Sequence, residues 1–554
     1  MRSGDDRFSA VLSYLFAFIL GSYISLAVFP ADFIWPAAVA QHPFHQDFSQ
    51  HVVGQRYFIA DAWRWPPFEV PSLNFPDGVH VGFTDSIPAL AVPLKLLSFL
   101  LPPGFHGFGL WYILAWILQP VAAVWCLRAA GERRLLPAAC IALIAISMPT
   151  WWSRFLHASL CGHFLIWIVL GTYFHLLRDN RALHWVYAAL VQIVILFVHP
   201  YLWAMTAVIL FAVPLTYFFN GDSRWRTSLP ASVLAVVASI ATAWATDYLG
   251  AHGGHGYGIY GMNLLSPFWP AGSSLLPFSL PMLYTSPEGA WEGYQYLGAG
   301  MLAGLVLLVL ARRGALVGDL RANIGLVLVS LFLTVFSLSS TIGIGGRIFP
   351  NVYATNGFPS FIESLFDHFR SSGRMFWPVG YLLVLAVVMG LARMGNAVLG
   401  TVLLLAVAVV QFADNRDARA TLASSLRHDR PAWLFDVGRV REAVSKASVL
   451  RIYPRWECVP TADIPAEHQS ITQLLTVASE TVVPVNTMYV ARWHNMRNCN
   501  DEQEAAEPLA PGEVRILGVT VRDRYGPHIP EADRYCQRVD QLLLCSRPAS
   551  TQGG

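Results

Sequence analysis

Residues 8–29 read FSAVLSYLFAFILGSYISLAVF and carry no charge. A helix needs about 20 apolar residues to cross the hydrocarbon of a bilayer. A cleavable signal peptide has an apolar core of roughly 7–15. The stretch therefore reads as a retained first span, and its pattern recurs along the chain. Comparable runs begin near Phe108, Leu135, Ser159, Leu183, Tyr201, Ser228, Tyr294, Asn323, Met375 and Asn396. Several hold Pro or Gly, which neighbouring helices accommodate in a membrane. The stretch Ser86 to Leu101 is short, contains Pro88, Pro93 and Lys95, and ends at Pro102-Pro103.

Composition agrees. The 554 residues have a mean hydropathy of +0.46, and 13% of them are charged. Soluble domains carry about 25% charged residues, so this chain cannot hide its apolar surface in one aqueous core. Net charge is +2, which argues neither for nor against nucleic acid. Lys95 and Lys446 are the only lysines; the remaining basic residues are arginines set in short clusters between apolar runs. Arg2/Arg7, Arg133/Arg134, Arg178/Arg181, Arg224/Arg226, Arg312/Arg313 and Arg393 all fall on one side if Ser86–Leu101 does not cross. The positive-inside rule then predicts about eleven spans, with the N-terminus in and the C-terminus out.

This topology predicts a polytopic α-helical membrane domain over residues 1–412 and a small soluble α/β domain over 413–554. On the outer side it places a long first loop (30–101), a Gly/His-rich loop (250–293) and a loop over 341–374. In the tail, Trp433 to Ala447 has helical amphipathic spacing. Val449–Tyr453, Thr481–Tyr489, Val514–Val521 and Gln541–Cys545 have strand character. Cys458, Cys499, Cys536 and Cys545 all lie there, an even number in an oxidising compartment. Two disulfides are expected, with three pairings open.

The unusual residues sit in the outer loops. In the first, Phe48, Val52 and Ile59 follow helical spacing and predict a helix at the membrane surface. Asp47 and His51, four apart, share a face. A carboxylate and an imidazole so placed form a general base with its orienting partner, or two ligands of a divalent ion. The plainer reading is a helix cap and a solvent-facing histidine. Asp85, in GFTDSIP, is a second acid that equally suits a cap. Arg370 and Arg374 lie four apart at the outer end of a span, against the positive-inside trend, where guanidinium forks suit phosphate oxygens. Lipid head groups or an ion pair are the alternative. Glu292 stands just before a span, where an acid is costly unless paired or used. Histidines also gather toward this side: His157 and His163 in RFLHASLCGH, His199 before Pro200, and His252 and His255. No zinc spacing, P-loop, Rossmann fingerprint or G-x-S-x-G is present, so the metal ligands stay unassigned.

The stretches QDFSQH, WRWP, NFPDG, FTDSIP, EGYQYLGAG and FRSSGRMFWP, spread from Gln46 to Pro378, resemble a group of bacterial GT-C-like membrane proteins. The whole arrangement resembles the GT-C superfamily of membrane glycosyltransferases. That resemblance implies a sugar transferred from a polyprenyl-phosphate donor to an envelope acceptor, on the outer face of the bacterial inner (cytoplasmic) membrane. Asp47 would be the catalytic base, with His51 beside it. Asp85, Arg370, Arg374, Glu292 and His163 would bind substrate, the arginines facing the donor phosphate. The first loop lacks the Asp-x-Asp or Glu-x-Asp pair of some members, which leaves a divalent cation as an open possibility rather than an expectation. Two other classes compete. One is a transporter or flippase of lipid-linked glycan, which predicts ionisable residues deep in the spans. The other is a non-catalytic assembly protein that uses the outer domain to bind partners.

Overall fold

In lipid every backbone polar group must be satisfied within its own segment, so apolar runs fold as helices. The computed structural model describes residues 2–249, 256–276, 280–286, 289, 291–349, 366–460, 462–493 and 497–548. Among them, eight helices are long and apolar enough to cross a membrane. They are Asp6–Val28, Phe108–Ala129, Ala158–Arg178, Pro200–Phe219, Trp225–Ala245, Ala299–Ala322, Ser372–Ala392 and Ala397–His428. Leu135–Ala145, Ala182–Val198 and Ile324–Leu338 are shorter apolar helices. The chain is a mostly helical membrane protein. Ala158–Arg178 is its centre, with 78% of its apolar window buried against protein, whereas Ala299–Ala322 has 22% buried and belongs to the rim.

The central helices meet closely. A Cβ on Gly21 would come within 2.7 Å of the Trp116 carbonyl oxygen and Ile117 Cα. The helices Arg2–Val28 and Phe108–Ala129 thus touch backbone to backbone there. Helices in lipid gain little from apolar contact alone, so small residues at crossings matter more than bulk. Trp116, Trp151, Trp167, Tyr112 and Tyr381 fill the space between.

The stretch Ser86–Leu101 is not among the helices long and apolar enough to cross a membrane. It forms a nine-residue helix, Pro88–Leu96, then a short turn at Ser98–Leu100. Nine residues reach about 14 Å, half of a bilayer core of about 30 Å. Lys95 lies over the rings of Phe58 and Trp63, 4.2 and 4.6 Å from their centroids.

The first-loop helix exists, as Gln46–Ala60, but its expected place at a membrane surface needs correcting. Residues from Ser49 to Phe58 are buried. One side packs on the loop Val81–Ser86; the other packs on a long helix of the C-terminal domain, Ile464–Thr481. Ser49 Oγ donates to the Thr472 carbonyl at 3.0 Å, and Tyr57 donates to that of Val483 at 2.5 Å.

The C-terminal domain is a four-stranded sheet with that helix packed on it. Val449–Tyr453 runs parallel to Glu513–Leu517. Antiparallel to the latter is Leu542–Ser546, which also pairs antiparallel with Cys536–Val539. The expected amphipathic helix is Val437–Ser445, capped by Asp436. The expected strand Thr481–Tyr489 is instead the end of the long helix and an extended segment. That segment meets the sheet through the bridge Leu450–Val485 and through the Asn486 side chain, which bonds the backbone of Ile452, without forming a strand. Of the three disulfide pairings left open, the structure has Cys458–Cys499 and Cys536–Cys545.

Candidate functional site

The loop that carries Asp85 is wedged against the first-loop helix. A Cβ on Gly54 would fall 2.0 Å from Thr84 Oγ1, so only glycine lets the loop this close. Ser86 Oγ donates to the His51 carbonyl at 2.8 Å. Gln50 donates to the Phe83 carbonyl at 3.2 Å. Asp85 and Ile87 both take φ of 51°, left-handed backbone that a β-branched residue such as isoleucine rarely adopts. The turn is held there by its neighbours, and it presents the Asp85 carboxyl to a cleft of about 600 Å³.

That cleft brings together residues scattered through the sequence. Asp47, Asp85, Arg370 and Arg374 all line it, with His157, His199, Tyr201, Tyr489 and Arg492. The partner of Asp47 differs from the sequence expectation. Its Oδ2 lies 3.5 Å from Nε2 of His157, and its Oδ1 accepts a 2.8 Å hydrogen bond from the Tyr489 hydroxyl. His51 is fully buried and turned away: its Nδ1 lies 3.2 Å from the Thr84 carbonyl oxygen and its Nε2 has no hydrogen-bond partner among the described residues. The reason is the wedge, since packing Thr84 against the helix claims the face on which His51 stands. Burial and the Arg374 guanidinium bring His157 down to about 4, so it meets Asp47 as a neutral imidazole at physiological pH. Tyr489 is pushed up by burial and by the Asp47 carboxylate, and remains a neutral donor.

Burial pushes the Asp85 carboxyl up from its ordinary value of 3.8. His51, Arg374 and Arg492 oppose this, and Asp47 adds to it. His199 Nε2 stands 3.9 Å from Asp85, while its Nδ1 accepts from the Tyr201 amide at 3.1 Å. His199 is thus both the cap of the helix Pro200–Leu210 and a wall of the cleft.

Glu292 lies directly behind Arg374. Its carboxylate takes Nε of Arg374 at 2.8 Å, NH2 of the same fork, and NH1 of Arg154 at 2.8 Å. All three side chains are under one-tenth exposed. Two guanidiniums share one carboxylate, so the group keeps a net positive charge beside the cleft. Much of the Arg374 fork is therefore committed to Glu292, and the arm also lies over the Tyr201 ring at 4.7 Å. Arg370 and Arg492 have no ion-pair partner among the described residues. His163 stands apart from the cleft. It is fully buried in the helical core, bonded to the Tyr381 hydroxyl at 2.7 Å and tilted against the Trp377 ring at 4.2 Å.

A second cavity of about 640 Å³ lies behind the pair. Phe48 and Leu156, the chain neighbours of Asp47 and His157, line it, with Phe33, Phe44, Phe155 and Leu422. Among the described residues no group of three or more His, Cys, Asp or Glu side chains is arranged to hold a metal ion. The residues present do not fit the divalent cation that the sequence left open. His252 and His255 lie outside the described residues.

Sequence reading missed Tyr489, Arg492, Arg154 and the pairing of His157. Arg154 carried a signal, being an arginine on the side that the topology keeps poor in arginine. Tyr489 carried none.

Residues 18–416 match the family model described as "Domain of unknown function (DUF6311)", and residues 439–547 match that described as "DUF6311 C-terminal domain". No curated protein matches the chain.

Proposed function

The chain belongs to the DUF6311 family, and we propose that it is a GT-C-type glycosyltransferase of the bacterial inner membrane. In this reading it has eleven spans: the eight long helices and the three shorter ones. The N-terminus is cytoplasmic, and the C-terminal domain is extracytoplasmic. It takes a sugar from a polyprenyl-phosphate donor and passes it to an envelope acceptor. One observation carries the reading: a loop aspartate with single, incomplete contacts shares a cleft with two arginines that have no ion-pair partner among the described residues.

The chemistry is a single displacement. Asp47 takes the proton of the acceptor hydroxyl as that oxygen attacks the anomeric carbon. The bond from the anomeric carbon to the phosphate oxygen breaks, and its electron pair leaves with the phosphate. Arg370 and the positively charged Arg154–Glu292–Arg374 group stabilise the charge that develops there. One displacement with one base inverts the anomeric centre. The second cavity, which Phe48 and Leu156 line beside the pair, gives a second substrate room to approach. Asp85, neutral over more of the pH range than an ordinary aspartate, is suited to donate a hydrogen bond to substrate.

The test is transfer from a panel of radiolabelled polyprenyl-phosphate sugars by the purified chain in lipid, beside Asp47→Asn. Turnover by the native protein and its loss in a folded variant are expected. Failure of every sugar, together with an Asp47→Asn chain that complements a deletion strain, would replace catalysis with the assembly reading. That second reading has one observation of its own. Through Tyr489, Asp47 also clasps the C-terminal domain to the first loop.

A further inference from the structure

The C-terminal domain reaches into the cleft with one short segment, Tyr489–Arg492. Three contacts fix that segment against the rest of the molecule. Tyr489 donates to Asp47. The Ala491 amide donates to the Phe83 carbonyl at 2.8 Å, two residues from Asp85. Arg492 NH2 donates to the His368 carbonyl at 2.5 Å, two residues from Arg370. From its own domain the segment is held by stacked rings: Trp456 lies on Tyr489 at 4.1 Å and His468 on Trp456 at 3.5 Å. The disulfide Cys458–Cys499 ties Trp456 to the far end of the same loop.

Arg492 is therefore a partly buried guanidinium delivered to a fixed place and given only a backbone carbonyl by the described residues. Its charge reaches Asp85 and His199. Arg370 is similarly placed: it is partly buried and faces the ring of Tyr260 at 5.6 Å, with no carboxylate to pair with among the described residues. Both cations line one cleft, and phosphate oxygens match a guanidinium fork.

We propose that Arg492 is a ligand-binding residue, and that with Arg370 it forms a phosphate site spanning both domains. The C-terminal domain is then half of the binding site rather than an appendage. The inference deepens the transferase reading by naming the residues that receive the donor phosphate, but its test needs no transfer.

The full chain in lipid nanodiscs is titrated with citronellyl phosphate, with citronellol and with inorganic phosphate, and binding is followed by quenching of tryptophan fluorescence. Trp203 lines the cleft. Arg370→Gln and Arg492→Gln should each weaken citronellyl phosphate binding by about tenfold or more. Arg492→Lys should recover part of it, and citronellol should not distinguish the variants. Inorganic phosphate that competes with the same arginine dependence would make the phosphate group alone the ligand. Citronellyl phosphate bound with no competition by inorganic phosphate would require the lipid tail as well. Native-strength binding of citronellyl phosphate by Arg492→Gln, with an unchanged thermal midpoint, overturns the proposal. Arginine-dependent binding without sugar turnover would keep this site and remove the transferase reading. Turnover insensitive to Arg492→Gln would do the reverse.

Discussion

Asp47 and Glu292 are both acids set beside the same cleft, and their surroundings differ in kind. Glu292 is buried and saturated: two guanidiniums occupy both of its oxygens. Asp47 is about a third exposed, with one hydrogen bond on one oxygen and a longer contact, to a neutral imidazole, on the other. A carboxylate whose two oxygens are both bound by fixed cations holds structure together and has little left to give a substrate. A carboxylate held from one side and open on the other keeps its orientation and can still accept a proton. The molecule sets the two beside one cleft in opposite states, one saturated and one open.

The contrast is most exposed to disproof at Glu292. Glu292→Gln removes the charge that two buried guanidiniums share, and losing one partner of such a group costs about 3–5 kcal/mol. A large fall in the thermal midpoint in lipid, or failure to accumulate folded protein, is expected. A midpoint close to native would mean that Glu292 is not the clamp described. By contrast Asp47→Asn, the variant expected to end turnover if the transferase proposal holds, should leave the midpoint close to native.

A smaller effect tests the other acid. Tyr489→Phe deletes only the hydroxyl that steers Asp47, worth about 1 kcal/mol as a hydrogen bond. Turnover should drop by roughly tenfold or less, while KM for the donor and the midpoint move little. A midpoint shift as large as that of Glu292→Gln would make the contact structural rather than steering.

The smallest effect is at Asp85, and it has the opposite sign. Burial raises the Asp85 carboxyl above its unfolded value near 3.8. Its contribution to stability is therefore complete below that pH and is lost as pH rises through the folded value. Asp85→Asn removes the ionisable group and suits the left-handed backbone at this position. It should stabilise the protein near neutral pH. That gain should vanish below about pH 4, the ordinary carboxyl range. Equal midpoints at neutral pH would mean that Asp85 sits comfortably ionised.

Much of this was legible in the chain. Apolar runs give the helices because lipid leaves the backbone no other solution. Asp47, Asp85, Arg370 and Arg374 stood out as charges in loops where the topology rule disfavours or does not explain them, and they share one cleft. What stayed hidden has physical reasons. His51 has the right spacing to Asp47, yet spacing says nothing about a loop that wedges against the helix from 33 residues away. Helix Ile464–Thr481 was unreadable because Ser470 to Ser479 is buried on every side. Thr472, Gln473 and Thr476 are as deep as Leu474 and Leu475, so no apolar stripe marks the helix. Tyr489 meets Asp47 across 442 positions of sequence, and no local pattern announces such a pair.

That separation also sets a timetable. A ribosome adds roughly 5–20 residues each second, so Asp47 emerges roughly 20–90 s before the tyrosine that will orient it. Throughout that interval the helix around Asp47 has no long tail helix to pack against, and Ser49, Arg56 and Tyr57 lack their partners. A chain whose synthesis stops early carries all the long apolar helices and no finished cleft. The tail thus acts as a certificate: only a chain that extends past Tyr489 has its carboxylate aimed.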